Sequence, residues 1–223
     1  MSIKENLTNL KLQIPGNVKL IVVSKTKSIK EITEVYDSGH KIFGENKVQE
    51  LVEKHTQLPQ DIEWHFIGHL QTNKVKQIAP FVNLIHGIDS MKLLFEVDKE
   101  AKKNNRIIDC LLQFHIATED TKFGFNYYEV EELLSSMAYR ESKNIRLTGV
   151  MGMATFTSDK DLIQKEFKEL KRYFDNLKTS YFANSNHFKE ISAGMSDDFQ
   201  IAIEEGSTMV RIGTAIFGER NKS

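Results

Sequence analysis

Short apolar runs alternate with amphipathic stretches along the whole chain. The runs are rich in Val, Ile, Leu and Met and are apolar at successive positions, which is typical of parallel strands buried on both faces. The stretches between them carry apolar residues at helical spacing, as at Ile29, Ile32 and Val35. We count eight strand–helix units, with a short helix before the first. The predicted strands are residues 19–25, 41–46, 63–68, 82–88, 107–116, 146–153, 190–192 and 208–212.

Eight strand–helix units in 223 residues predict an α/β fold, a (β/α)8 TIM barrel close to the minimum length for that architecture. No linker interrupts the pattern, so we treat residues 1–223 as one barrel domain with a short N-terminal helix. An open, doubly wound sheet is the alternative, since the same alternation also builds that fold.

Charge and composition limit the kinds of partner. The chain has 30 basic and 31 acidic residues, a formal net charge of −1, and no basic stripe, which argues against nucleic acid or an anionic membrane as a partner. No apolar run approaches the roughly 18 residues of a membrane span, and the N-terminus has no signal core. Cys110 stands alone in an apolar run, so we interpret it as a buried core residue. We therefore expect a cytoplasmic protein.

Lys25 ends the first predicted strand, and Ser28 is the predicted N-cap of the helix that follows. Such a strand delivers one amine to a strand–helix junction, where α/β folds carry their chemistry. Taken alone, Lys25 is better explained as a solvated lysine at the end of a core strand.

Small and hydroxyl residues follow the last two predicted strands, at Ser192, Gly194, Gly213 and Thr214. In TIM barrels these two loops commonly hold phosphate. Hydroxyls, together with backbone N–H groups that glycine leaves accessible, can bind an anion without a metal. As isolated motifs, they are better explained as tight turns.

The two signals gain weight together, because closing the sheet makes Lys25 a neighbour of the anion site. A lysine amine beside a phosphate site suggests a Schiff base with pyridoxal 5′-phosphate (PLP), anchored by its phosphate. Arg211 lies on the same face as Gly213 by strand alternation, and aimed at the pyridine nitrogen it would keep that nitrogen unprotonated. A salt bridge to a loop carboxylate explains Arg211 equally well.

Several longer stretches, spread over almost the whole chain, carry a more specific signal. They are VSKT at 23–26, FGEN at 43–46, VQE at 48–50, WHFIGHLQ at 64–71, DS at 89–90, KFG at 122–124, GMSDD at 194–198 and GSTMVRIGTAIFG at 206–218. A chain with these stretches closely resembles the pyridoxal phosphate homeostasis proteins, a family built like the barrel domain of alanine racemase. The last two stretches together are highly specific.

The resemblance implies a PLP site position by position. Two positions depart from the family pattern: Ala193 stands where a methionine is expected, and Gly152 makes the exit of strand six smaller. The implied residues are Lys25 for the Schiff base, Ser192, Gly213 and Thr214 for the phosphate, Met195 and Ser196 for the loop beside it, Arg211 for the pyridine nitrogen, and Asn46 and His69 for the pocket wall near the ring.

Other polar residues have plainer explanations. His65 and His69 lie on either side of a strand end, so we expect no shared metal and interpret His65 as a hydrogen-bonded strand residue. Asp197 and Asp198, with Ser196 as N-cap, fit the first turn of a helix better than an acid–base pair.

Two classes of function fit the implied site. One is a carrier that serves intracellular PLP homeostasis as a monomer, with no catalytic residue and with PLP-dependent apo-enzymes as recipients. The alternative is a PLP-dependent amino-acid racemase or related enzyme. A third is a barrel that binds another phosphate, with Lys25 as counter-charge.

The carrier is favoured over the racemase by an acid–base requirement. Racemisation needs acid–base groups on both faces of the substrate carbon, and only Lys25 is evident. In alanine racemase the second group is a tyrosine that comes with a further β domain, for which we expect no length after Gly218. The tyrosines of this chain fall in predicted helices or their flanks.

Overall fold

Eight parallel strands close into a barrel in the order in which they occur along the chain. The structure is a computed structural model that describes residues 2–119 and 123–218, so Lys122 of the KFG stretch lies outside the described residues. The first and last strands pair, with Ile21 opposite Arg211. The predicted TIM barrel is confirmed, and the open doubly wound sheet is excluded. The strands are β1 Lys19–Val23, β2 Ile42–Glu45, β3 Glu63–Phe66, β4 Leu84–Ile88, β5 Ile108–Gln113, β6 Ile145–Met151, β7 Glu190–Ser192 and β8 Met209–Ile212.

Helices follow the strands around the outside of the barrel, and the predicted short helix precedes β1. A 3₁₀ turn, Thr72–Lys74, leads into α4. The helices are α1 Ile3–Lys11, α2 Ile29–Asp37, α3 Val48–Gln57, α4 Val75–Ile78, α5 Met91–Lys103, α6 Tyr127–Ser135, α7 Met137–Glu141, α8 Lys160–Ser180, α9 Phe199–Glu204 and α10 Thr214–Phe217.

The start of α2 shows how local sequence fixes an element next to Lys25. Ser28 Oγ accepts a hydrogen bond from the Glu31 N–H at 3.3 Å, and the Glu31 carboxylate accepts one from the Ser28 N–H at 2.8 Å. This reciprocal capping box satisfies two backbone donors that a helix start leaves without partners. The predicted N-cap at Ser28 is confirmed, and it ends the loop that carries Lys25.

The structure corrects several predicted element boundaries, among them the end of β1, which lies at Val23 and not at Lys25. The sequence predicts one helix around residues 128–139. The structure divides it into α6 and α7, because Ser136 is extended and its hydroxyl caps the Tyr139 N–H at 3.1 Å. The predicted N-cap at Ser196 is wrong. Residues 196–198 form a turn, and α9 begins only at Phe199, because the Asp198 carboxylate accepts from the Met195 N–H at 2.6 Å.

The apolar core has two parts. The main part fills the space between the strands and the surrounding helices and includes Cys110, which is fully buried as predicted. The smaller part joins side chains from separate strands and fills the inside of the barrel, with Ile21, Leu84, Leu111, Met151 and Met209. Because this plug closes the barrel interior, polar groups above it lie in a protected environment. None of the described helices is long and apolar enough to cross a membrane.

Candidate functional site

A cavity of about 500 Å³ opens at the carboxyl ends of the barrel strands. Its volume is in the range of small-molecule sites, and its position is where TIM barrels carry their chemistry. Ser192 does not line its wall. The other predicted site residues do, namely Lys25, Asn46, His69, Met195, Ser196, Arg211, Gly213 and Thr214.

Lys25 is held in place through the backbone on both sides of it. Ser24 precedes it, and the Ser24 carbonyl accepts from Lys54 Nζ at 2.8 Å. Thr26 follows it with φ at 65°, a left-handed conformation that is uncommon for a threonine. The Thr26 N–H donates to the Glu50 carboxylate at 2.7 Å, which stabilises this conformation. Two side chains of α3 therefore fix the backbone that carries the lysine.

A buried ion pair anchors these contacts. Lys54 Nζ lies 2.7 Å from Glu45 Oε1 and 3.2 Å from Glu50 Oε2, and Ser24 Oγ donates to the same Glu45 oxygen at 2.6 Å. Burial raises the pKa of the Glu45 carboxyl, and the Lys54 ammonium opposes that change. Sequence reasoning quoted Glu45 and Glu50 only as part of the resemblance. The signal for Lys54 is its place on the buried face of α3, four residues after Glu50.

Arg211 forms part of the cavity floor, where its buried guanidinium contacts neutral acceptors. Its guanidinium donates to Ser192 Oγ at 2.5 Å and to the Gly152 carbonyl at 3.1 Å. Burial lowers the pKa of Arg211 to about 10, and the nearby Asp198 carboxylate acts in the opposite direction. Arg211 therefore stays a cation at neutral pH. Its hydrogen bonds among the described residues do not support the alternative of a salt bridge.

Ser192 lies under the arginine instead of on the cavity wall. Its side chain is fully buried, and its Oγ is also 2.8 Å from His86 Nδ1. The predicted role of Ser192 as a phosphate ligand stays a prediction, while its hydroxyl is placed to orient Arg211. The predicted character of His65 as a hydrogen-bonded strand residue is confirmed, since His65 Nδ1 lies 3.0 Å from His86 Nε2.

The loops after β7 and β8 provide backbone donors to the cavity. In the described part of the chain, the N–H groups of Ser196 and Thr214 donate to no other residue. Gly213 is required beside them, because a Cβ there would lie 2.7 Å from the Val23 carbonyl. Gly194 has φ at +94°. Two adjoining loops with unsatisfied N–H donors and hydroxyl side chains match the chemistry of a phosphate site.

Asn46 gives a second sign of a missing polar partner. Its Oδ1 is shielded from solvent and has no hydrogen-bond partner among the described residues. A buried polar atom without a partner costs free energy unless a ligand or water satisfies it. Together with the Lys25 amine, the Arg211 cation and the loop donors, it fits a small ligand with a phosphate, an aldehyde and polar ring substituents.

His69 forms the opposite wall with partners from two other loops. Its Nδ1 lies 2.7 Å from Asp89 Oδ2, so Nδ1 carries a proton that the carboxylate accepts, and Nε2 is left for other contacts. Its ring stacks on Phe123, with centroids 3.9 Å apart. Gln113 holds that phenylalanine by donating to its carbonyl at 2.8 Å. Sequence reasoning quoted Asp89 and Phe123 only within the resemblance and missed Gln113, because a partner distant in sequence leaves no local pattern.

The fold and this cavity define a barrel of the alanine racemase type. The family described as alanine racemase, N-terminal domain, matches residues 1–221. The pyridoxal phosphate homeostasis protein of Aquifex aeolicus is 41% identical over 203 residues, covering 91% of this chain and 87% of that protein. The protein of the same name from Escherichia coli K12 is 37% identical, covering 94% and 88%. The chain belongs to the family of pyridoxal phosphate homeostasis proteins.

Solved structures agree with this assignment. PipY of Synechococcus elongatus PCC7942, solved with PLP bound, is 31% identical, with a TM-score of 0.88 over 97% of this chain and 100% of that one. Alanine racemase of Clostridium difficile 630, in complex with cycloserine, matches with a TM-score of 0.79. The match covers 100% of this chain and 60% of the racemase. At 14% identity the racemase shows a likeness of fold alone.

Proposed function

We propose that this protein binds PLP in the cavity at the carboxyl ends of the strands and serves PLP homeostasis. One observation carries the proposal. A single cavity brings together the Lys25 amine, the Arg211 cation and the N–H groups of Ser196 and Thr214, which donate to no other described residue. These are the groups needed for an aldehyde, a pyridine nitrogen and a phosphate. Membership in the family and the PLP-bound structure of PipY support the same conclusion.

Each residue has a proposed part in holding the cofactor. PLP, when bound, supplies an electrophilic aldehyde on an electron-withdrawing ring. The Lys25 amine would bind that aldehyde covalently, with release of water, and would hold it near the strand end. Asn46 and His69 would line the ring, and a donor on the ring would satisfy Asn46 Oδ1, which has no partner among the described residues. The phosphate is held by the loops after β7 and β8, with Met195, Ser196, Gly213 and Thr214.

Arg211 determines what the site does chemically. It remains charged at neutral pH, and a cation at the pyridine nitrogen keeps a proton off that nitrogen. An unprotonated ring withdraws electrons less strongly and stabilises a carbanion less well. We therefore propose holding and release of the cofactor without turnover.

The racemase remains the second candidate because of the His69–Asp89 pair. A histidine oriented by a carboxylate is a common arrangement for acid–base catalysis, and His69 lines the same cavity as Lys25. No tyrosine of the described residues lines that cavity. Deuterium exchange at the α-carbon of added amino acids separates the two functions. Exchange with loss of stereochemistry would establish the racemase and overturn the carrier.

Titration of the protein with PLP, followed by visible absorption, tests the proposed site. The wild-type protein should develop the visible band of a lysine-bound cofactor, and Lys25→Ala should not. Lys27→Ala is the matched control, because Lys27 lies two residues further on and pairs with Glu31 at 3.4 Å. Absence of the band in the wild-type protein, or its persistence in Lys25→Ala, would contradict the proposal.

We also propose that the recipients are apo-enzymes that need PLP, and that the carrier is a monomer. Loaded protein mixed with a PLP-dependent apo-enzyme should restore its activity at a rate that rises with carrier concentration. If that rate equals the rate of spontaneous release into buffer, direct transfer is excluded. Analytical ultracentrifugation of the PLP-loaded protein measures its mass in solution, which should be that of one chain.

A further inference from the structure

A chain of hydrogen bonds crosses the barrel interior beneath Arg211. It passes from Arg211 Nη1 to Ser192 Oγ over 2.5 Å, from Ser192 Oγ to His86 Nδ1 over 2.8 Å, and from His86 Nε2 to His65 Nδ1 over 3.0 Å. All four side chains are buried. These hydrogen bonds connect the floor of the PLP cavity with a second cavity. That cavity lies at the opposite mouth of the barrel and is lined in part by His65.

The direction of the hydrogen bonds follows from counting donors. A guanidinium only donates, so Ser192 Oγ accepts from Arg211. The Ser192 hydroxyl proton then needs an acceptor of its own, and His86 Nδ1 is the one other side-chain partner within reach in the described structure. His86 Nδ1 is therefore the acceptor. A proton on that nitrogen would leave the serine hydroxyl proton buried without a partner, which is costly.

The histidines fit this direction because both are neutral. Burial lowers the pKa of His65 to about 3, and the Lys19 charge adds to the effect. Burial also lowers the pKa of His86 well below its ordinary value, and the neighbouring His65 and Arg211 act in the same direction. A neutral imidazole has one donor and one acceptor. His86 thus donates from Nε2 to His65 Nδ1, and the His65 proton lies on Nε2.

We propose that His86 is a positioning residue for Arg211, acting through Ser192. By taking the Ser192 hydroxyl proton at Nδ1, it leaves the serine oxygen as a fixed acceptor for the guanidinium. Its second nitrogen, bonded to His65, fixes its own tautomer and ring orientation. The position of the Arg211 guanidinium in the cavity floor is therefore fixed by hydrogen bonds from inside the barrel. The proposal rests on the proposed function, in which Arg211 faces the pyridine nitrogen.

The tautomers can be measured without PLP. In long-range ¹H–¹⁵N correlation spectra of protein labelled at histidine, His86 and His65 should both be neutral with the proton on Nε2. The two residues are assigned by the signals lost in His86→Asn and His65→Asn. A proton on His86 Nδ1, or a charged His86 at neutral pH, would overturn the proposed direction. This result stands even if the wild-type protein takes up no PLP, an outcome that would instead contradict the proposed function.

Substitutions of His86 test whether these hydrogen bonds affect the binding of PLP. His86→Leu removes the acceptor of the serine proton, whereas His86→Asn keeps an acceptor oxygen at the Nδ1 position. The PLP dissociation constant should rise about tenfold in His86→Leu and stay within about twofold of wild type in His86→Asn. His40→Leu is the matched control, since His40 is also buried but bonds the Ile42 carbonyl on β2.

His40→Leu separates positioning from general destabilisation. It should lose thermal stability comparable to His86→Leu while binding PLP with unchanged affinity. Equal affinity in His86→Leu and wild type would overturn the proposal. So would an equal loss in His86→Leu and His86→Asn. If His86→Leu fails to fold, the tautomer of His86 in the wild-type protein still decides the proposal, because a proton on Nδ1 would overturn it.

Discussion

Lys54 Nζ lies 2.7 Å from Glu45 Oε1, in a buried pair directly behind the strand end that carries Lys25. The same ammonium bonds the Ser24 carbonyl at 2.8 Å. A buried charge that loses its partner is strongly destabilising, whereas a buried pair replaced by apolar residues often is not. The pair thus links the stability of the barrel to the placement of the reactive amine.

Lys54→Met should destabilise the protein by about 3–5 kcal/mol, because it leaves the Glu45 carboxylate buried without its cation. PLP capture at Lys25 should slow as well, since the Ser24 carbonyl loses its donor. Urea unfolding and stopped-flow absorption measure the two effects. The double variant Glu45→Leu/Lys54→Met should recover most of the stability but not the capture rate. Lys41→Met, which breaks the exposed pair with Asp61, should change neither.

Buried neutral histidines should make the protein lose stability in mild acid. Burial lowers the pKa of His40 to about 4 and that of His65 to about 3, whereas both titrate near 6.5 when unfolded. Below pH 6.5 the unfolded chain therefore binds more protons than the folded protein does. The free energy of unfolding decreases as the pH is lowered, until each folded-state pKa is reached. Each such histidine contributes about 1.4 kcal/mol per pH unit within its window.

Urea unfolding at several pH values measures this dependence. His40→Leu should have a shallower slope between pH 6.5 and 4 than the wild-type protein. A slope unchanged by the substitution would show that His40 is not the buried neutral group that the structure indicates.

Gly194→Ala should disturb the loop after β7. Gly194 has φ at +94°, and an added Cβ would lie 2.8 Å from Phe199 Cα. We expect a loss of at least about 1 kcal/mol in stability and weaker PLP binding, because the same loop carries Ser196. Gly16→Ala is the control, since nothing lies within 4 Å of a Cβ there. Equal affinities in the two variants would exclude the loop as part of the phosphate site.

Asp89→Asn should loosen the cavity wall. The substitution removes the charge that the His69 Nδ1–H donates to at 2.7 Å, and charge-assisted hydrogen bonds are stronger than neutral ones. Because the His69 side chain is 42% exposed, the effect is modest, and the PLP dissociation constant should rise about threefold. Fluorescence titration measures it. An unchanged dissociation constant would show that the orientation of His69 by Asp89 does not contribute to PLP binding.

The sequence predicted what depends on local pattern. Strand order and the cap at Ser28 follow from apolar periodicity and from residues only a few positions apart. The predicted end of β1 at Lys25 is wrong by two residues, because the chain turns after Val23. The resemblance implied that Asn46 and His69 lie on the cavity wall, and both line the cavity in the structure. Their part in binding PLP stays a prediction.

What the sequence did not predict depends on contacts between distant strands. His86 and Ser192 are 106 positions apart, and His69 and Asp89 are 20 apart. No spacing rule connects such pairs until the barrel closes. For the same reason, the contacts of the Ser192 hydroxyl with Arg211 and His86 could not be predicted, and its role as a phosphate ligand stays a prediction.

We propose that Lys25 is the residue that binds the cofactor covalently. Borohydride reduction of the protein incubated with PLP, followed by peptide mapping of the adduct, tests it most directly. We predict one modified peptide, the one that contains Lys25, and none in Lys25→Ala. A stable adduct on another lysine, or no adduct at all, would show that Lys25 is not the residue that binds PLP.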